Sequence, residues 1–431
     1  MATHYARGDV HQSLTAAEKR EALSGALRAI GRPLRKVLLL PPDHTRLNSG
    51  AGELTRLLFE LLAPRTKVDI LPAVGTHAPM TKSQLRMMFG DTIPLERFGA
   101  HDWRNGVRQV GVVPGELLRQ WSENLVDYDV RVQVNHLLFG GYDLILSIGQ
   151  LVPHEVAGIA NYTKNVVVGV GGFDIINKSH FLGAAYGMER IMGRIENPVR
   201  RLFDYSMAAF LSELPIVYVL TVMEKEKTGD QMRMRGLYIG DDRETFTLGA
   251  RLSQQVNFDL LERPLKKVLV YLDPEEFKST WLGNKAVYRT RMAMADGGEL
   301  IILAPGLKEF GEDQAIDRLI RKFGYRGTPA TLAAVKASAE LRDNLSAAAH
   351  LIHGSSEGRF RITYSPGPHI SADAIRAVGF DAGDLSAMLN RYRPDHLHDG
   401  HNRLPDGEEL FYISNPALGL WALKSQFPPA V

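Results

Sequence analysis

The chain has 431 residues, enough for two or three domains of the usual size of about 100 to 200 residues. Hydrophobic residues make up 45%, charged residues 23%, and the formal net charge is +2, which excludes an acidic disordered chain and gives no sign of a nucleic-acid partner. The absence of cysteine excludes disulfides and thiolate metal ligands, so protein ligands to a metal would be histidine, carboxylate or a modified side chain. No segment is apolar over the roughly 18 residues of a membrane span, and the N-terminus lacks a signal-type core. We therefore expect a soluble protein of the cytoplasm.

In the first half of the chain, the pattern of a strand, a polar loop and a helix occurs repeatedly. A helix is predicted over residues 13–30, with Ser13 as its N-cap. Three predicted strands end just before candidate functional side chains. Residues 36–40 precede Asp43, Thr45 and Arg46, residues 68–71 precede Gly75, Thr76 and His77, and residues 141–150 precede His154. Ligands in open α/β sheets bind at such strand ends, so the pattern predicts one site built from several loops.

The stretch 152–181 combines a histidine, a lysine and a second histidine, namely His154, Lys164 and His180. Between the histidines, the run VVVGVGG is predicted as a strand followed by glycines, in the manner of an active-site wall. These glycines do not form the GxGxxG fingerprint, and no helix is predicted to start after Gly172. A dinucleotide-binding domain of the NAD type is therefore not expected.

A domain boundary is predicted within residues 257–266, where a new apolar strand begins and the alternation of strands and helices restarts. The chain is divided into an N-terminal α/β domain of residues 1–260 and a C-terminal α/β domain of residues 261–410. Residues 411–431 form a tail that could pack back on the first domain.

Within the second domain, an alanine-rich helix is predicted over residues 328–348 and a strand over residues 350–355. A polar segment rich in proline and glycine follows later and contains His396, His398 and His401. These histidines could bind a metal at the surface, although the composition is that of a plain loop.

The candidate side chains allow several kinds of chemistry. Arg46 could hold a carboxylate or phosphate through two parallel hydrogen bonds, or it could form a surface ion pair with Asp43. His77 follows a glycine that permits a sharp turn, and its imidazole suits proton transfer near neutral pH, although a structural role is also open. His154 and His180 could be metal ligands, but their separation of 26 residues is not the spacing of one helix face.

Taken in order, these residues resemble a known family over nearly the whole chain, the nickel-pincer-nucleotide-dependent lactate racemases. The resemblance rests on Asp43-x-Thr45-Arg46, Gly75-Thr76-His77, His154, Lys164, His180 and, in the second domain, Lys285. It implies two α/β domains with a cleft between them and an isomerase that racemises or epimerises a 2-hydroxy acid. It also implies a covalently attached cofactor, pyridinium-3,5-bisthiocarboxylic acid mononucleotide nickel, supplied by cofactor-biosynthesis proteins.

The resemblance also implies a role for each matching residue. Lys164 would attach the cofactor covalently, and His180 would bind nickel. His77 and His154 would transfer protons on opposite faces of the substrate, and Arg46 would bind its carboxylate. Asp43 and Thr45 would contact the cofactor, Asp43 could also orient Arg46, and Lys285 would place a positive charge near substrate or cofactor. The hydrogen on the α-carbon would leave as hydride to the cofactor, giving a bound 2-keto acid, and would return to the other face.

Two positions depart from the family pattern. Trp281 and Leu282 stand where lactate-specific members have a tyrosine and a glutamine that touch the substrate, so a substrate other than lactate is expected. It could be a bulkier 2-hydroxy acid or, if Arg289 or Arg291 binds a second carboxylate, an acid like malate. For both arginines, however, we expect a solvated helix face.

Two other classes of function remain open. A zinc-type metal-dependent hydrolase or lyase would use His77, His154 and His180 directly as ligands and would not need Lys164. A non-catalytic nucleotide-binding protein would bind the cofactor and leave the 2-hydroxy acid unchanged.

Overall fold

The computed structural model describes residues 2–225, 232–311, 313–417 and 419–427. The chain divides into two compact units, the first formed by Met1–Leu182 with Arg190–Asn257 and the second by Gly183–Glu189 with Phe258–Val431. The change from the first unit to the second after Asn257 lies at the start of the segment in which the sequence predicts a boundary.

The first unit alternates strands and helices along most of its length. Its strands are β1 (Thr3–Gly8), β2 (Lys36–Leu40), β3 (Lys67–Ile70), β4 (Val107–Val113), β5 (Val130–Asn135), β6 (Leu144–Gln150), β7 (Pro153–His154), β8 (Gly158–Ile159), β9 (Ile216–Lys225) and β10 (Met232–Gly240). Its helices are α1 (Ala16–Ile30), α2 (Ala51–Leu62), α3 (Lys82–Phe89), α4 (Gly115–Trp121), α5 (Thr163–Val167), α6 (Phe173–Tyr186), α7 (Met188–Ile191), α8 (Pro198–Phe210) and α9 (Arg243–Val256), of which α6 and α7 cross between the units.

The main sheet of the first unit has the strand order β1-β10-β9-β6-β2-β3. Strands β9, β6, β2 and β3 are parallel to one another, whereas β10 pairs antiparallel with both β9 and β1. Val37, Leu38, Leu39 and Leu40 of β2 are fully buried, so this strand is covered on both faces, as is typical of a parallel sheet. The predicted α/β class is confirmed.

The first helix begins later than the sequence predicts. Thr15, and not Ser13, is the N-cap of α1, because its side chain accepts a hydrogen bond from the Glu18 N–H while the Glu18 side chain bonds back to the Thr15 N–H. This reciprocal pair satisfies two of the free donors at the helix start.

The run 166–172, which the sequence predicts as a strand, begins inside a helix. Thr163–Val167 forms α5, and α6 starts at Phe173, directly after the glycine run where no helix is predicted. The valines of this run favour a strand by propensity, but tertiary contacts decide the conformation. A side chain on Gly171 would place its Cβ atom 1.9 Å from the Val167 carbonyl oxygen, so the glycines allow α5 to pack tightly against the turn that follows it.

The second unit is a further α/β unit. Its strands are β11 (Phe258–Leu261), β12 (Leu265–Tyr271), β13 (Met294–Ala304), β14 (Arg361–Pro366), β15 (Asp381–Ala382), β16 (Gly400–Arg403), β17 (Glu409–Ile413) and β18 (Leu420–Leu423). Its helices are α10 (Thr280–Gly283), α11 (Lys285–Thr290), α12 (Gln314–Phe323), α13 (Thr328–Ala337), α14 (Ala339–Arg342), α15 (Leu345–His353), α16 (Ala372–Ala377) and α17 (Leu385–Tyr392).

The sheet of the second unit has the order β15-β14-β13-β12-β17-β16, and only the β16–β17 pair of this sheet, as far as its described residues show, is antiparallel. Strand β17 pairs with β12, and β18 pairs with β11. The described residues of the predicted tail 411–431 thus form strands within the second unit. Residues 418 and 428–431 of that tail lie outside the described residues.

One helix prediction and one strand prediction in the second unit are wrong. The long helix over residues 328–348 is divided into α13, α14 and α15, because Ser338 has an extended backbone and Asn344 caps a new helix through the Ala347 N–H. The segment 350–355, predicted as a strand, begins inside α15. The three alanines just before this segment, residues 347–349, are fully or almost fully buried, which favours a closely packed helix.

Histidines 396, 398 and 401 lie near the edge strand β16, which pairs with β17. Among the residues that the structure describes, no group of three or more His, Cys, Asp or Glu side chains is arranged to hold a metal ion. The same part of the chain contains no helix long and apolar enough to cross a membrane.

Candidate active site

The carboxyl ends of β6, β2 and β3 lie side by side at one edge of the first sheet, because these strands are adjacent and parallel. The alignment continues past the strands, since Pro42 and Ala73 form a parallel bridge. The sheet order therefore brings the loops that carry Asp43, His77 and His154 to the same edge, as the sequence predicts.

Asp43 is the N-cap of the 3-10 turn His44–Ser49 and is only 3% exposed. Its Oδ1 atom accepts hydrogen bonds from the backbone N–H of Thr45, at 3.1 Å, and from the Thr45 hydroxyl, while Oδ2 lies 2.7 Å from Nδ1 of His77. Burial alone would raise the pKa of Asp43, but the hydrogen bond and charge of His77, together with Thr45 and Arg46, hold it below its usual value. Asp43 thus orients His77, whereas the sequence predicts that it orients Arg46 or contacts a cofactor.

His77 lies in a turn whose shape depends on a glycine. Gly75 has a φ of +59° and donates a hydrogen bond of 2.8 Å to the Gly169 carbonyl, which ties the loop after β3 to the turn after α5. The His77 side chain, whose ring is hydrogen-bonded to Asp43, is 44% exposed. Asp43 therefore fixes the His77 ring at one nitrogen, and the side chain stays partly exposed.

Arg46 is exposed, and its backbone (φ −114°, ψ 35°) interrupts the 3-10 turn. Its positive charge lowers the pKa of Lys164 and contributes to the low pKa of His154. Within the described ranges the guanidinium has no ion pair, so the surface ion pair with Asp43, the alternative left open by the sequence, does not form. Arg46 is thus a cation placed at the edge of the site.

His154 is 6% exposed and lies in β7, which forms a tight hairpin with β8. Its Nδ1 atom accepts the backbone N–H of Val156 at 3.0 Å and, at 3.4 Å, that of Ala157. Burial lowers the pKa of His154 well below its ordinary value; the carboxylate of Glu155 opposes this shift, and the charges of Lys164 and Arg46 add to it. The imidazole is therefore neutral at neutral pH.

Lys164 follows two residues with left-handed backbone conformations. Asn161 has a φ of +63° and Tyr162 a φ of +58°, each at a cost on the order of 1 kcal/mol. The Tyr162 ring is clamped between Tyr218 and Phe246, with ring centroids 4.4 and 4.8 Å away. The surrounding core thus holds a strained turn that sets the direction of Lys164.

A buried arginine braces this turn. Arg200 is fully buried and donates hydrogen bonds to the Asn161 carbonyl at 3.3 Å, the Thr163 hydroxyl at 2.8 Å and the Ile159 carbonyl at 2.5 Å. Burial, together with repulsion from Arg243, lowers the pKa of Arg200 to about 9. Arg200 therefore stays a cation whose donors fix the backbone on both sides of the strained turn.

Helix α5 is anchored to the sheet edge by the residue after Lys164. The Asn165 side chain donates hydrogen bonds of 3.0 Å to the Leu40 carbonyl and to the Ser147 hydroxyl, at the ends of β2 and β6. Lys164 itself is half-buried, and burial with the charge of Arg46 lowers its pKa to about 8, against the opposing effects of Glu155 and Asp43. About one Lys164 amine in ten is therefore neutral at pH 7.

His180 lies in the middle of α6 and donates a hydrogen bond from Nδ1 to the Ile176 carbonyl, at 2.6 Å. A carbonyl can only accept, so the lone pair of the neutral ring is on Nε2. Burial and the charge of Lys164 lower the pKa of His180 to about 4. A neutral ring with an Nδ1–H bound to a backbone carbonyl is the usual state of a metal-ligating histidine.

Asp43, His154, Lys164 and His180 share one electrostatic neighbourhood, because the pKa of each is shifted by charges within the site, including those of Arg46 and Glu155. Histidines 77, 154 and 180 do not form a three-ligand metal cluster in the described part of the chain. The site therefore offers the amine of Lys164, the Nε2 lone pair of His180 and two further histidines whose Nδ1 atoms have other partners.

The remaining predicted residues belong to the second unit. Lys285 begins α11, half-buried, with Nζ 5.6 Å from the Phe277 ring centroid. The Trp281 ring packs on His350 at 4.4 Å between centroids, and Leu282 is 38% exposed.

The prediction of a solvated face for the two arginines is wrong. Arg289 is 5% and Arg291 2% exposed. Arg291 pairs with Glu189 at 2.7 Å and donates to the carbonyls of Ile352 and Ser355, so its donors stabilise the second unit.

Sequence reasoning missed several residues that shape the site. Glu155 was adjacent to a predicted histidine, and its carboxylate lies 3.8 Å from His154 Nδ1. Asn165 was adjacent to the predicted lysine, so both could have been found by examining neighbours. Arg200 comes from a distant helix, and only the fold brings it beneath the turn.

Comparison with known proteins gives matches over different parts of the chain. Residues 5–190 match the family described as lactate racemase N-terminal domain. Lactate racemase of Thermoanaerobacterium thermosaccharolyticum is 24% identical over 188 residues, a match that spans 42% of this chain and 40% of that protein.

Two solved structures are similar over most of the chain. A protein from Thermotoga maritima has a TM-score of 0.81 at 24% identity, covering 97% of this chain and all of the other. The lactate racemase apoprotein from T. thermosaccharolyticum has a TM-score of 0.69 at 15% identity, covering 96% and 94%. At these identities the structural likeness shows the fold.

Proposed function

We propose that this chain, whose residues 5–190 match the family described as lactate racemase N-terminal domain, is a racemase or epimerase of a 2-hydroxy acid. Over those residues, the family match supports the resemblance predicted from the sequence. The activity, the cofactor and the residue roles are our proposal, since the curated relative is matched over only 40% of its length.

The observation that carries the proposal is that the site combines a lysine of lowered pKa, Lys164, with a neutral histidine of defined tautomer, His180. A covalent link to an acyl-type group on a nucleotide needs a neutral amine, and the pKa of Lys164 is lowered to about 8. A nickel ion bound by one imidazole would need a neutral ring with a lone pair on a defined nitrogen, which is the state of His180. These residues fit a cofactor that brings its own sulfur and carbon ligands.

When bound, the nickel-pincer nucleotide would accept the hydrogen of the substrate's α-carbon as hydride and return it to the opposite face. Arg46 would bind the substrate carboxylate, for which its exposed guanidinium is suited. His77, held by Asp43, would take the hydroxyl proton. His154 would contact the same oxygen after the 2-keto acid has rotated, and Lys285 would supply a further positive charge.

Lactate is the first substrate to test, because it is the substrate in the names of the relatives. The sequence departures at Trp281 and Leu282 still predict a bulkier or malate-like acid. The burial of Arg289 and Arg291 leaves malate with less support, since Arg291 is committed to Glu189.

The alternative of a zinc-type hydrolase or lyase has little support. It would need His77, His154 and His180 around one ion, and no such three-ligand group exists in the described ranges. The Nδ1 atoms of these residues are bound to a carboxylate, to backbone N–H groups and to a carbonyl, respectively.

The test is to produce the chain together with the enzymes that make the cofactor and to measure peptide masses and bound metal. We expect added mass on Lys164, nickel in the protein, and loss of optical purity when single enantiomers of lactate, malate or a bulkier 2-hydroxy acid are added. Lys164→Ala should abolish all three, whereas Lys82→Ala, at an exposed lysine of α3, should abolish none. Activity that survives Lys164→Ala would favour the hydrolase or lyase, and bound cofactor without racemisation would favour a nucleotide-binding protein.

A further inference from the structure

The two histidines proposed for proton transfer have opposite hydrogen-bond partners. His77 faces a carboxylate with its Nδ1 atom, at 2.7 Å from Asp43 Oδ2. His154 faces backbone N–H groups with the same atom, at 3.0 Å from the Val156 nitrogen. Because a backbone N–H can only donate and an ionised carboxylate can only accept, these contacts determine which ring nitrogen carries the proton.

For His77, the proton lies on Nδ1. Asp43 is kept ionised by its hydrogen bonds, so its Oδ2 atom accepts from Nδ1–H. The lone pair of the neutral ring is then on Nε2, and His77 can accept a proton there without losing its bond to Asp43. This is the arrangement of a general base with an orienting carboxylate.

For His154, the proton lies on Nε2. The N–H groups of Val156 and Ala157, in the hairpin between β7 and β8, both point at Nδ1 and keep it unprotonated. The neutral ring therefore presents an N–H at Nε2. It can accept a proton only at Nδ1, where the hydrogen bond from Val156 must first break.

We infer that the two histidines are unequal: His77 is the resting proton acceptor with Asp43 as its positioning residue, and His154 is a hydrogen-bond donor through Nε2. The catalytic meaning of this difference rests on the proposed function. The tautomers themselves do not, since they follow from contacts within the chain.

The two enantiomers would therefore meet histidines in different protonation states. For the enantiomer whose hydroxyl faces His77, Nε2 of His77 would take the hydroxyl proton while the α-hydrogen left as hydride to the bound cofactor, giving the 2-keto acid. For the other enantiomer, His154 would first have to move its proton from Nε2 to Nδ1, which breaks the hydrogen bond from Val156, before Nε2 could accept the hydroxyl proton. Mirror-image substrates have an equilibrium constant of one, so kcat/KM must be equal in both directions, and the difference appears in kcat and KM separately.

The variant Asp43→Asn gives a specific test. The Thr45 N–H donates to Oδ1 and keeps an oxygen at that position, so the amide nitrogen of the new side chain would face His77. An amide NH₂ can only donate, so His77 would have to move its proton to Nε2 and lose its accepting lone pair there. Asp242→Asn is the matched control, because Asp242 also caps a helix and accepts from the N–H and hydroxyl of a threonine, Thr245, but has no histidine partner.

The measurement is two-bond ¹H–¹⁵N NMR of histidine-labelled protein without cofactor at neutral pH. The chain has 14 histidines, so the signals are assigned with His77→Gln and His154→Gln. We expect protonated Nδ1 for His77, protonated Nε2 for His154, reversal of His77 in Asp43→Asn and no change in Asp242→Asn. The same tautomer in both rings, or an unchanged His77 signal in Asp43→Asn, would overturn the inference.

A kinetic readout on the cofactor-loaded protein links the tautomers to turnover. Loss of the correct tautomer in a histidine–aspartate pair lowers kcat by up to about 10⁴-fold in a well-studied protease, and a large loss of kcat is expected for Asp43→Asn but not for Asp242→Asn. If the NMR result holds and no 2-hydroxy acid is racemised, the proposed function fails and the tautomer assignment stands. If racemisation occurs and kcat of Asp43→Asn is unchanged, the positioning role of Asp43 fails.

Discussion

The low pKa of Lys164 predicts an unusually reactive amine in the protein without cofactor. At pH 7, an amine with a pKa of about 8 is neutral in about one molecule in ten, whereas a lysine at the ordinary 10.5 is neutral in about one in three thousand. The reactive fraction of Lys164 is thus larger by a factor of about 300. This difference would prepare the residue for covalent attachment of a cofactor.

Two substitutions should shift this pKa in opposite directions. Arg46→Gln removes a positive charge that lowers the pKa of Lys164, so the pKa should rise and the neutral fraction should fall. Glu155→Gln removes a negative charge that raises it, so the pKa should fall. Arg104→Gln, the same change at an exposed arginine that packs on Trp103, is the control and should leave the pKa unchanged.

The assay is competitive acetylation with trace acetic anhydride across a pH series, followed by peptide mass spectrometry. Lys82, an exposed lysine at the start of α3, provides the internal reference. The labelling midpoint of Lys164 should lie near pH 8 in the wild type, higher in Arg46→Gln and lower in Glu155→Gln. A midpoint near 10.5 in the wild type, or shifts of the same sign in the two variants, would refute the reasoning.

Three further predictions concern the metal and the packing. His180→Ala should keep the mass added to Lys164 and lose nickel in metal analysis, and nickel retained at the wild-type amount would contradict the ligand role. Gly171→Ala would place a Cβ atom 1.9 Å from a backbone oxygen and should lower the free energy of unfolding by about 1 to 3 kcal/mol or more. Gly25→Ala in helix α1 is the control and should raise it by up to about 1 kcal/mol. Equal midpoints of thermal unfolding for the two variants would count against the packing argument. Arg291→Met should lower the free energy of unfolding by about 3 to 5 kcal/mol, because it leaves Glu189 and two carbonyls without their hydrogen-bond donor. The control Arg321→Met, at an exposed arginine, should lower it by at most about 1 kcal/mol. A similar loss for both variants in denaturant unfolding would show that burial of Arg291 has little effect.

The strand ends that build the site could be predicted from the sequence. The run of apolar residues at 36–40 is bounded by a charged residue and by prolines, and the structure places β2 over that range. Because β6, β2 and β3 are parallel and adjacent, polar residues after each strand had to meet at one edge. Asp43, His77 and His154 were therefore found from local patterns alone.

The conformation around Lys164 could not be predicted in this way. The valines at 166–168 favour a strand by propensity, but Asn165 bonds to the ends of β2 and β6, and Arg200 fixes the turn before the helix. These partners are 18 to 125 residues away along the chain, for Ser147 and Leu40 respectively, so no local window contains them.

The histidine tautomers also could not be predicted from sequence patterns. A histidine after a strand can accept or donate, and the choice depends on whether a carboxylate or a backbone N–H faces Nδ1. For His77 that partner is Asp43, 34 residues earlier, and for His154 it is the local hairpin. The sequence predicts two similar acid–base residues, and the structure gives them different partners.

The central claim, racemisation by hydride transfer, is tested most directly by the fate of the α-hydrogen. The cofactor-loaded chain is given one enantiomer of an α-deuterated 2-hydroxy acid in ordinary water, and the opposite enantiomer is isolated by chiral chromatography and analysed by mass spectrometry. Because the hydride would leave and return without exchanging with water, the account predicts that the product retains its deuterium. Product carrying hydrogen from the solvent would show that the α-hydrogen leaves as a proton and would contradict it.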